Sequence, residues 1–555
     1  MRNSFQHRWK LQVEAIGYWF TSGGVKGSFG YYPHLKELIG EKVYPVYPDT
    51  QVLGNLKAAA YWLSKLKPEV YPRDFVSLVF GDPNTGTETV LRPSKIFVTD
   101  LCLADRSKWE TARFQIKPKI EVGDNRTVKE HMLMNFEAAY LEGLELEADI
   151  YLVGNFEEEE FEKAKQLVEE SINYIPGFGA FRSRGFGRGY VSIKTIEIEP
   201  NMIYGDSGNL FLVRLTSLVN FRNRQVEPGK KQVVTSNPII SKDKFKAWLL
   251  RTYKDRYQYW LDIGLARKVI CSSFRPVPND YYSITVPPPI SSLKNEQGDM
   301  LDLCNLNIEL NENENFFATK ASALTGNMFL TNETDPKIYE VPIARRVRNS
   351  LDETFKTLSE GGLFVQEFIP AGIKYAGILE VQDDGELKQN IFNIISKDLA
   401  LINGCIFRIE VIPFSFELVK ANESKTLLVT EPVPLLPELN LINYRESEFV
   451  KVSGRFIKQK ANQIRLSTYR SYVTSLNRPR RPRITVAPGS VVHHISNPES
   501  LSLRNFLAWK GFGKKFGTKE RSEEEKVEVP KKIREPFEKV TQVAESLLKD
   551  GITRS

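Results

Sequence analysis

The spacing of apolar residues predicts a chain of strands with a few long helices. Residues 9–15 alternate apolar with polar side chains, which indicates a half-buried strand near the start of the sequence. Residues 55–65 and 157–172 place apolar side chains three and four positions apart, which predicts amphipathic helices. Further short strands are predicted at 95–101, 144–153 and 190–198.

The same order of strand and helix begins again in the second half of the chain. An alternating strand is predicted over 209–221, and a helix follows from about 243 to 261. A short echo accompanies this order, because Phe136-Glu137 and Gln366-Glu367 each precede a glycine and then a strand. The repetition predicts two related α+β domains in tandem.

The composition is that of a globular protein. Hydrophobic residues form 41% of the 555 residues, charged residues form 26%, and the mean hydropathy is −0.32. No apolar run approaches the roughly 18 residues of a membrane span, and the first residues lack the apolar core of a signal peptide. The four cysteines lie far apart without a CxxC pair. We therefore expect a protein of the reducing cytoplasm with no membrane association, disulfide framework, zinc ribbon or cofactor.

Positive charge is concentrated towards the C-terminal end. Residues 451–521 contain 16 lysines and arginines against two acidic residues, so this stretch carries +14 while the whole chain carries +7. Its densest part is Arg478-Pro-Arg480-Arg481-Pro-Arg483, where the prolines favour an extended backbone. Aromatic residues are interleaved with the cations, and nucleic-acid bases stack on such side chains. We predict a polyanion-binding region, with a solvated basic surface or an acidic protein neighbour as the alternatives.

A second basic element is the loop 177–189, with the sequence GFGAFRSRGFGRG. Its glycines permit a positive φ and a close approach of the backbone to a ligand, which would expose amides to phosphate oxygens. Three arginines add positive charge, and three phenylalanines could stack on bases or pack beneath the loop. The order helix, loop, strand excludes a dinucleotide-binding fingerprint. Contact with phosphate or RNA is therefore predicted, and a purely structural hairpin loop is the alternative.

Several segments of the chain resemble the RAMP superfamily of CRISPR proteins. The loop 177–189 resembles the glycine-rich signature of that family, and residues 48–57 lie where the family has an element that opens its first helix. Residues 122–127 resemble an Asp-Arg-Thr segment, and 348–372 contain a looser second copy. Residues 486–492, Val-Ala-Pro-Gly-Ser-Val-Val, resemble an element of two-domain subunits that cap the five-prime handle of the guide RNA in type III complexes, the III-D form above all.

The resemblance implies an α+β fold with two tandem ferredoxin-like (RNA-recognition-motif-like) domains that contain insertions. The expected domains are 1–204 and 205–521, followed by a charged tail, 522–555, with one predicted helix. The implied function is that of a non-catalytic subunit of a type III CRISPR effector complex, which holds the crRNA for antiviral defence. The implied partners are crRNA, other RAMP subunits and the large polymerase-like subunit, with target RNA met only indirectly. The residues predicted to bind RNA are Gly177, Gly179, Arg182, Arg184, Gly185, Gly187, Arg188, Lys57, Arg126, Arg478, Arg480, Arg481, Arg483, Gly489, Ser490, Lys514 and Lys515.

Two enzymatic functions stay open as alternatives. Backbone-type RAMP subunits cleave target RNA with an aspartate between their first strand and first helix, whereas residues 22–42 contain two glutamates and no aspartate. Guide-processing RAMP endoribonucleases use a histidine as general acid or base. The histidines considered for this role are His34, His131, His493 and His494. Because a lone loop histidine is usually incidental and adjacent strand histidines face opposite ways, we expect no catalytic residue and no metal site.

Overall fold

The computed structural model shows a chain of β-sheets with few helices. It describes residues 3–23, 30–39, 41–82, 93–122, 128–205, 208–225, 233–257, 263–290, 292–294, 300–302, 322–324, 327–331, 337–351, 358–382, 385–413, 426–434, 448–452, 455–459, 465–469, 472–473, 478–479, 483–493 and 506–508. None of the helices in these ranges is long and apolar enough to cross a membrane.

The first α+β unit contains one large sheet and two long helices. Its main elements are β1 (Asn3–Ile16), α1 (Asp49–Leu66), β2 (Ile96–Val98), β3 (Leu101–Leu103), β4 (Glu145–Phe156), α2 (Glu158–Ile172) and β5 (Arg188–Ile196). Strand β1 lies between β4 and β5 and runs antiparallel to both, and β4 also pairs with β2 and β3. This strand order, with α1 and α2 as the two crossovers, is the ferredoxin-like βαββαβ arrangement. Strands Lys42–Tyr47 and Lys36–Ile39 extend the sheet beyond β3.

The second unit repeats this topology. Its main elements are β6 (Leu210–Ser217), α3 (Lys242–Tyr257), β7 (Val269–Cys271), β8 (Arg275–Val277), β9 (Lys374–Val381), α4 (Glu386–Lys397) and β10 (Cys405–Pro413). Strand β6 lies between β9 and β10, and β9 also pairs with β7 and β8. The predicted α+β class is therefore confirmed. The domain boundaries stay predictions, and strand Met202–Ile203, which precedes residue 204, already pairs with β10.

Smaller sheets surround the two units. In the first half they contain strands Tyr18–Trp19, Tyr31–Tyr32, Phe114–Val122 and Val128–Tyr140, with helix Arg73–Phe80 and the 3-10 turns Arg106–Lys108, Thr111–Arg113 and Arg182–Arg184. In the second half they contain Arg224–Gln225, Val233–Ser236, Thr285–Val286, Ser292–Lys294, Met300–Asp302, Ser322–Ala323, Met328–Thr331, Ile338–Glu340, Ala344–Leu351, Leu358–Phe368 and Ala400–Ile402, with helix Ile263–Lys268. The C-terminal strands are Thr426–Val429, Val433–Pro434, Glu448–Val452, Arg455–Gln459, Leu466–Tyr469, Tyr472–Val473, Arg478–Pro479, Arg483–Val486, Val491–His493 and Phe506–Ala508.

The helices of the first unit cover one face of its sheet. Trp9 and Leu11 of β1 are fully buried in one core with Leu56 of α1 and Leu167 of α2. The apolar faces predicted from the helical periodicity are thus the buried faces. The acidic start of α2 forms a capping box, in which Glu157 and Glu160 each accept a backbone N–H of the other.

The two units contact each other through α3 and the opposite face of the first sheet. Phe97 of β2 and Tyr151 and Val153 of β4 belong to the hydrophobic core of the second unit. At the border of this contact, Asn155 Nδ2 donates to Asp255 Oδ2 at 2.7 Å. One part of the first sheet is therefore buried by the second unit, and the part nearer β5 is not.

Candidate nucleic-acid interface

The glycine-rich loop 177–189 is held by backbone hydrogen bonds to strand Tyr18–Trp19 and its neighbour. Phe178 N donates to Gly187 O at 2.9 Å, which closes the loop on itself. Ala180 N donates to Phe20 O at 2.8 Å, and Gly187 N donates to Tyr18 O at 2.9 Å. The loop is therefore an ordered part of the first unit, placed at the start of β5.

Two of its glycines are required by close backbone contacts. Gly187 has φ of +68°, and a Cβ at this position would collide with the carbonyl oxygen of Phe178. Gly179 has φ of +76°, and a Cβ there would collide with the carbonyl oxygen of Phe20. No other residue type combines the left-handed conformation with this lack of space. The glycines thus give the loop its shape, and they lie where its backbone meets protein.

The three phenylalanines of the loop pack beneath it. Phe178 is buried, and its ring is stacked on Trp19 with centroids 5.7 Å apart. Phe181 is stacked on Phe20 at 5.4 Å, and Phe186 belongs to the same small cluster. Of the two roles that the sequence left open, packing is therefore the one found, because these ring faces are occupied by other rings.

The arginines of the loop are exposed. Arg182, Arg184 and Arg188 have no carboxylate within ion-pair distance in the described part of the chain. Arg182 Nη1 donates to Asn55 Oδ1 at 3.2 Å, and Asn55 Nδ2 donates to Gly177 O at 3.2 Å, so α1 braces the loop. Arginine guanidiniums present planar sets of donors that match phosphate oxygens. The loop therefore presents three largely unneutralised cations on an ordered backbone.

The loop amides have a different role from the one expected. The amides of Phe178, Ala180, Arg184, Gly185, Phe186 and Gly187 donate to carbonyl oxygens of the protein itself. An amide engaged in this way does not serve a phosphate as well. This corrects the expectation that these backbone groups hold an anion, and it leaves the guanidiniums as the groups suited to do so.

Lys57 lies on α1 and is half-buried. Its Nζ donates to the carbonyl oxygen of Asp82 at 2.9 Å. Burial lowers the pKa of Lys57, although the nearby Asp82 charge acts in the opposite direction. The amine is thus partly committed to the loop that follows helix Arg73–Phe80.

Gly489 and Ser490 lie inside the fold. Gly489 has φ of +86°, and its amide donates to Val429 O at 2.8 Å. Ser490 is fully buried, and its hydroxyl accepts from Arg465 N at 3.1 Å. Both residues therefore join strands of the C-terminal sheets, a packing role in place of the direct RNA contact that the sequence suggested for the Ser490 side chain.

The remaining predicted RNA-binding residues are placed only in part. Strand Arg478–Pro479 pairs with Tyr472–Val473, and strand Arg483–Val486 pairs with Leu466–Tyr469, so the backbone of both strand arginines is described. The residues that lie outside the described ranges are Arg126, Arg480, Arg481, Lys514 and Lys515. Contact of all these residues with RNA stays a prediction.

His34 is buried between aromatic rings. Its Nδ1 accepts from Thr21 N at 3.4 Å, and its own amide donates to Glu137 Oε2 at 3.1 Å. The His34 ring is centred 5.5 Å from Tyr47 and 5.6 Å from Phe114. Burial, with a smaller contribution from the Lys36 charge, lowers the pKa of His34 to about 3. The imidazole is therefore neutral near pH 7 and acts as a hydrogen-bond acceptor for the backbone.

The second unit has a serine in the equivalent place. Asn223 N donates to Ser236 Oγ at 3.1 Å, and Ser236 N donates to Glu367 Oε2 at 3.3 Å. Glu367 corresponds to Glu137, since both glutamates lie in strands that pair in parallel with the segment they bond. The sequence echo around these glutamates thus marks a real structural repeat. His34 and Ser236 perform the same task, which requires an acceptor atom and no acid or base.

A buried group of charges joins the two units, and the sequence patterns did not reveal it. Asp49, the first residue of α1, accepts from Arg222 and, at 3.2 Å, from Arg346 Nη1. Asp100, which follows β2, accepts from Asn220 Nδ2 at 3.1 Å and from Arg346. From the sequence, Asp49 is recognisable only as a helix start signal. No local pattern connects residues separated by more than a hundred positions.

The described residues contain no group of three or more His, Cys, Asp or Glu side chains close enough to hold a metal ion. The chemistry available at the loop is therefore that of fixed guanidinium donors and aromatic side chains. Such groups bind anions and bases and carry out no bond cleavage by themselves.

Comparison with known proteins identifies a family for part of the chain. Residues 12–191 match the model of the RAMP superfamily. None of the curated proteins matches this sequence significantly. The resemblance predicted from the sequence motifs is thus confirmed over the first α+β unit.

Solved structures from CRISPR complexes are among the similar folds. A chain of a type III-B Cmr-beta complex bound to cognate target RNA is 13% identical, with 51% of this chain and 86% of that chain covered and a TM-score of 0.33. A chain of a type IV-B CRISPR complex is 12% identical, with 34% of this chain and 90% of that chain covered and a TM-score of 0.25.

Proposed function

Because residues 12–191 match the RAMP superfamily, we propose that this chain is a non-catalytic RNA-binding subunit of a type III CRISPR effector complex. In this proposal it holds the crRNA at its five-prime handle and assembles with other RAMP subunits and the large polymerase-like subunit. The observation that carries the proposal is the exposed set Arg182, Arg184 and Arg188 on an ordered loop.

The surroundings of these arginines favour an anionic ligand. Surface cations elsewhere in the first unit have acidic partners, as Lys10 has Glu147 and Arg106 has Glu37. The loop arginines have none among the described residues, although the loop is fixed at both ends by hydrogen bonds. Three unneutralised charges so close in the chain repel one another unless an anion lies between them. A phosphate backbone supplies such charges at regular intervals.

The side chains that an RNA-cleaving mechanism would use are committed to the fold. His34 is neutral and enclosed by rings, and Asp49 and Asp100 form ion pairs with Arg222 and Arg346. These contacts favour the binding function over the two alternatives, a target-cleaving backbone subunit and a guide-processing endoribonuclease. An RNA cleavage assay with and without divalent metal, on the purified chain and on its complex, separates the three functions.

The direct test is the simultaneous replacement of Arg182, Arg184 and Arg188 by Ala. We expect weaker binding of guide RNA and a slope of log affinity against log salt that is lower by about 2, since each phosphate left without a cation on a single strand removes roughly 0.7. A matched control replaces three acid-paired surface cations, Arg106, Lys108 and Lys165, by Ala. Wild-type affinity and slope in the loop variant would show that the loop arginines have no part in RNA binding.

A further inference from the structure

The edge strand β5 continues the charged surface of the loop. Alternation along the strand puts Arg188, Tyr190, Ser192 and Lys194 on one face, and all four side chains are exposed. Their neighbours Val191 and Ile193 pack against the core on the other face. Because a strand rises about 3.3 Å per residue, Tyr190 follows Arg188 by roughly 6.6 Å and Lys194 follows Arg188 by roughly 20 Å.

Tyr190 is unusually exposed for an aromatic residue. Its side chain is 71% accessible, the highest value among the large apolar side chains of the described residues. In that part of the chain no other ring stacks on it, in contrast to the three loop phenylalanines. A free tyrosine ring between two cations offers an apolar face that solvent alone does not satisfy.

The charges around Tyr190 favour an uncharged group at the ring and anions on either side. Glu14 lies directly across from Tyr190 in the register of β1 and β5, so a phosphate is disfavoured at that point. The acidic residues of β4 are neutralised by β1, since Glu147 accepts from Lys10 and Asp149 accepts from Arg8. Arg188 and Lys194 have no acidic partner among the described residues. A nucleobase carries no charge, and its neighbouring phosphates do.

We propose that single-stranded RNA leaves the glycine-rich loop along β5, with one base stacked on Tyr190 and phosphates held by Arg188 and Lys194. This inference rests on the proposed function and adds a residue that reads the path of the RNA. Stacking on an aromatic ring is tolerant of base identity, so Tyr190 contributes affinity and position with little sequence preference.

The test uses the full chain and a short single-stranded oligoadenylate that carries 2-aminopurine, whose fluorescence is quenched by stacking. Tyr190→Ala should weaken binding by roughly 5- to 150-fold and relieve quenching, while Tyr190→Trp should retain both. The salt slope should stay at the wild-type value in Tyr190→Ala, because no charge is removed, and should fall by about 0.7 in Lys194→Ala. Tyr174→Ala, which removes another exposed tyrosine, is the matched control.

Other results would overturn the inference. Unchanged affinity and quenching in Tyr190→Ala, together with weaker binding in the loop-arginine variant, would show that RNA contacts the loop and takes another path. If Tyr190→Ala instead released a protein subunit from the purified complex without a change in RNA affinity, β5 would be a protein-binding edge. Failure of the loop-arginine variant to change binding would refute the proposed function itself, so the two failures are distinguishable.

Discussion

Arg346 of the second unit donates two parallel hydrogen bonds to Asp100 of the first unit, with Nη1 2.9 Å from Oδ1 and Nη2 2.5 Å from Oδ2. The same guanidinium also reaches Asp49, and all three side chains are largely buried. A bidentate pair of this kind fixes orientation as well as distance. It therefore sets how the first unit, with its glycine-rich loop, is oriented relative to the second.

The first prediction concerns the removal of this arginine. Arg346→Ala should lower the free energy of unfolding by about 3–5 kcal/mol, because two buried carboxylates lose their counter-charge. Urea unfolding measures this change. Arg106→Ala removes an exposed pair with Glu37 and should cost less than about 1 kcal/mol. Equal effects of the two substitutions would show that the buried group contributes nothing beyond a surface ion pair.

The second prediction concerns acid. Burial by itself would raise the pKa of Asp100, but the Arg346 charge and the hydrogen bonds outweigh it and leave the pKa below the ordinary 3.8. A carboxylate with a lowered pKa stabilises the fold above its ordinary value and loses that contribution as the pH falls through the lowered value. Unfolding measured at decreasing pH should therefore show a loss of stability below the ordinary pKa. Asp100→Asn should lack this part of the loss, and an unchanged acid profile in that variant would contradict the assignment.

The third prediction separates the structural from the catalytic interpretation of His34. Asn and Leu are close in size, and only Asn retains an acceptor for Thr21 N. We expect His34→Leu to be less stable than His34→Asn by about 1–3 kcal/mol, the cost of an unsatisfied buried amide. Any RNA cleavage by the assembled complex should be unchanged in both variants. Loss of one cleavage position with assembly intact would instead assign chemistry to this histidine.

The pH profile of His34→Asn provides an independent check. The folded-state pKa of about 3 lies below the ordinary 6.5, so the unfolded state takes up the proton first as the pH falls. His34 thus contributes a loss of stability between those two values. In His34→Asn this contribution should disappear, whereas the loss that Asp100 causes at lower pH should remain.

The fourth prediction concerns the shape of the loop. Gly187→Ala introduces a Cβ into the carbonyl of Phe178, whereas Gly143→Ala meets no atom within 4 Å. Both positions have positive φ, so both variants carry the strain of a left-handed residue. Gly187→Ala should therefore be less stable than Gly143→Ala by a further amount of about 1–3 kcal/mol, a typical cost of overpacking. Thermal unfolding of the two variants measures the difference, and equal stabilities would mean that the loop backbone can move away.

The fifth prediction concerns the C-terminal basic segment. Removal of charge at Arg480, Arg481 and Arg483 should weaken binding of the five-prime segment of the guide RNA by the isolated protein. The salt slope should fall by roughly 0.7 for each phosphate that these arginines bind in the wild-type protein. The opposing result is unchanged RNA affinity with loss of a subunit from the purified complex. That result would assign the segment to an acidic protein neighbour.

Local sequence pattern was sufficient to predict the elements and the fold class. The apolar spacing located α1 and α2 and their buried faces, although α1 begins at Asp49, earlier than the apolar pattern indicates. The echo of Phe136-Glu137 in Gln366-Glu367 corresponds to two glutamates with the same hydrogen-bonding task. These features are readable because helix and strand periodicity, and the need for glycine at positive φ, are properties of neighbouring residues.

Only the tertiary structure decided which distant side chains meet. It placed the loop phenylalanines against Trp19 and Phe20, buried Ser490, and brought Arg346 to Asp100 across 246 positions. The sequence shows that these residues are aromatic, small or charged, which is compatible with either a surface or an interior position. Whether such a side chain binds RNA or stabilises the fold depends on the partner that folding brings to it, and that partner lies outside any local window.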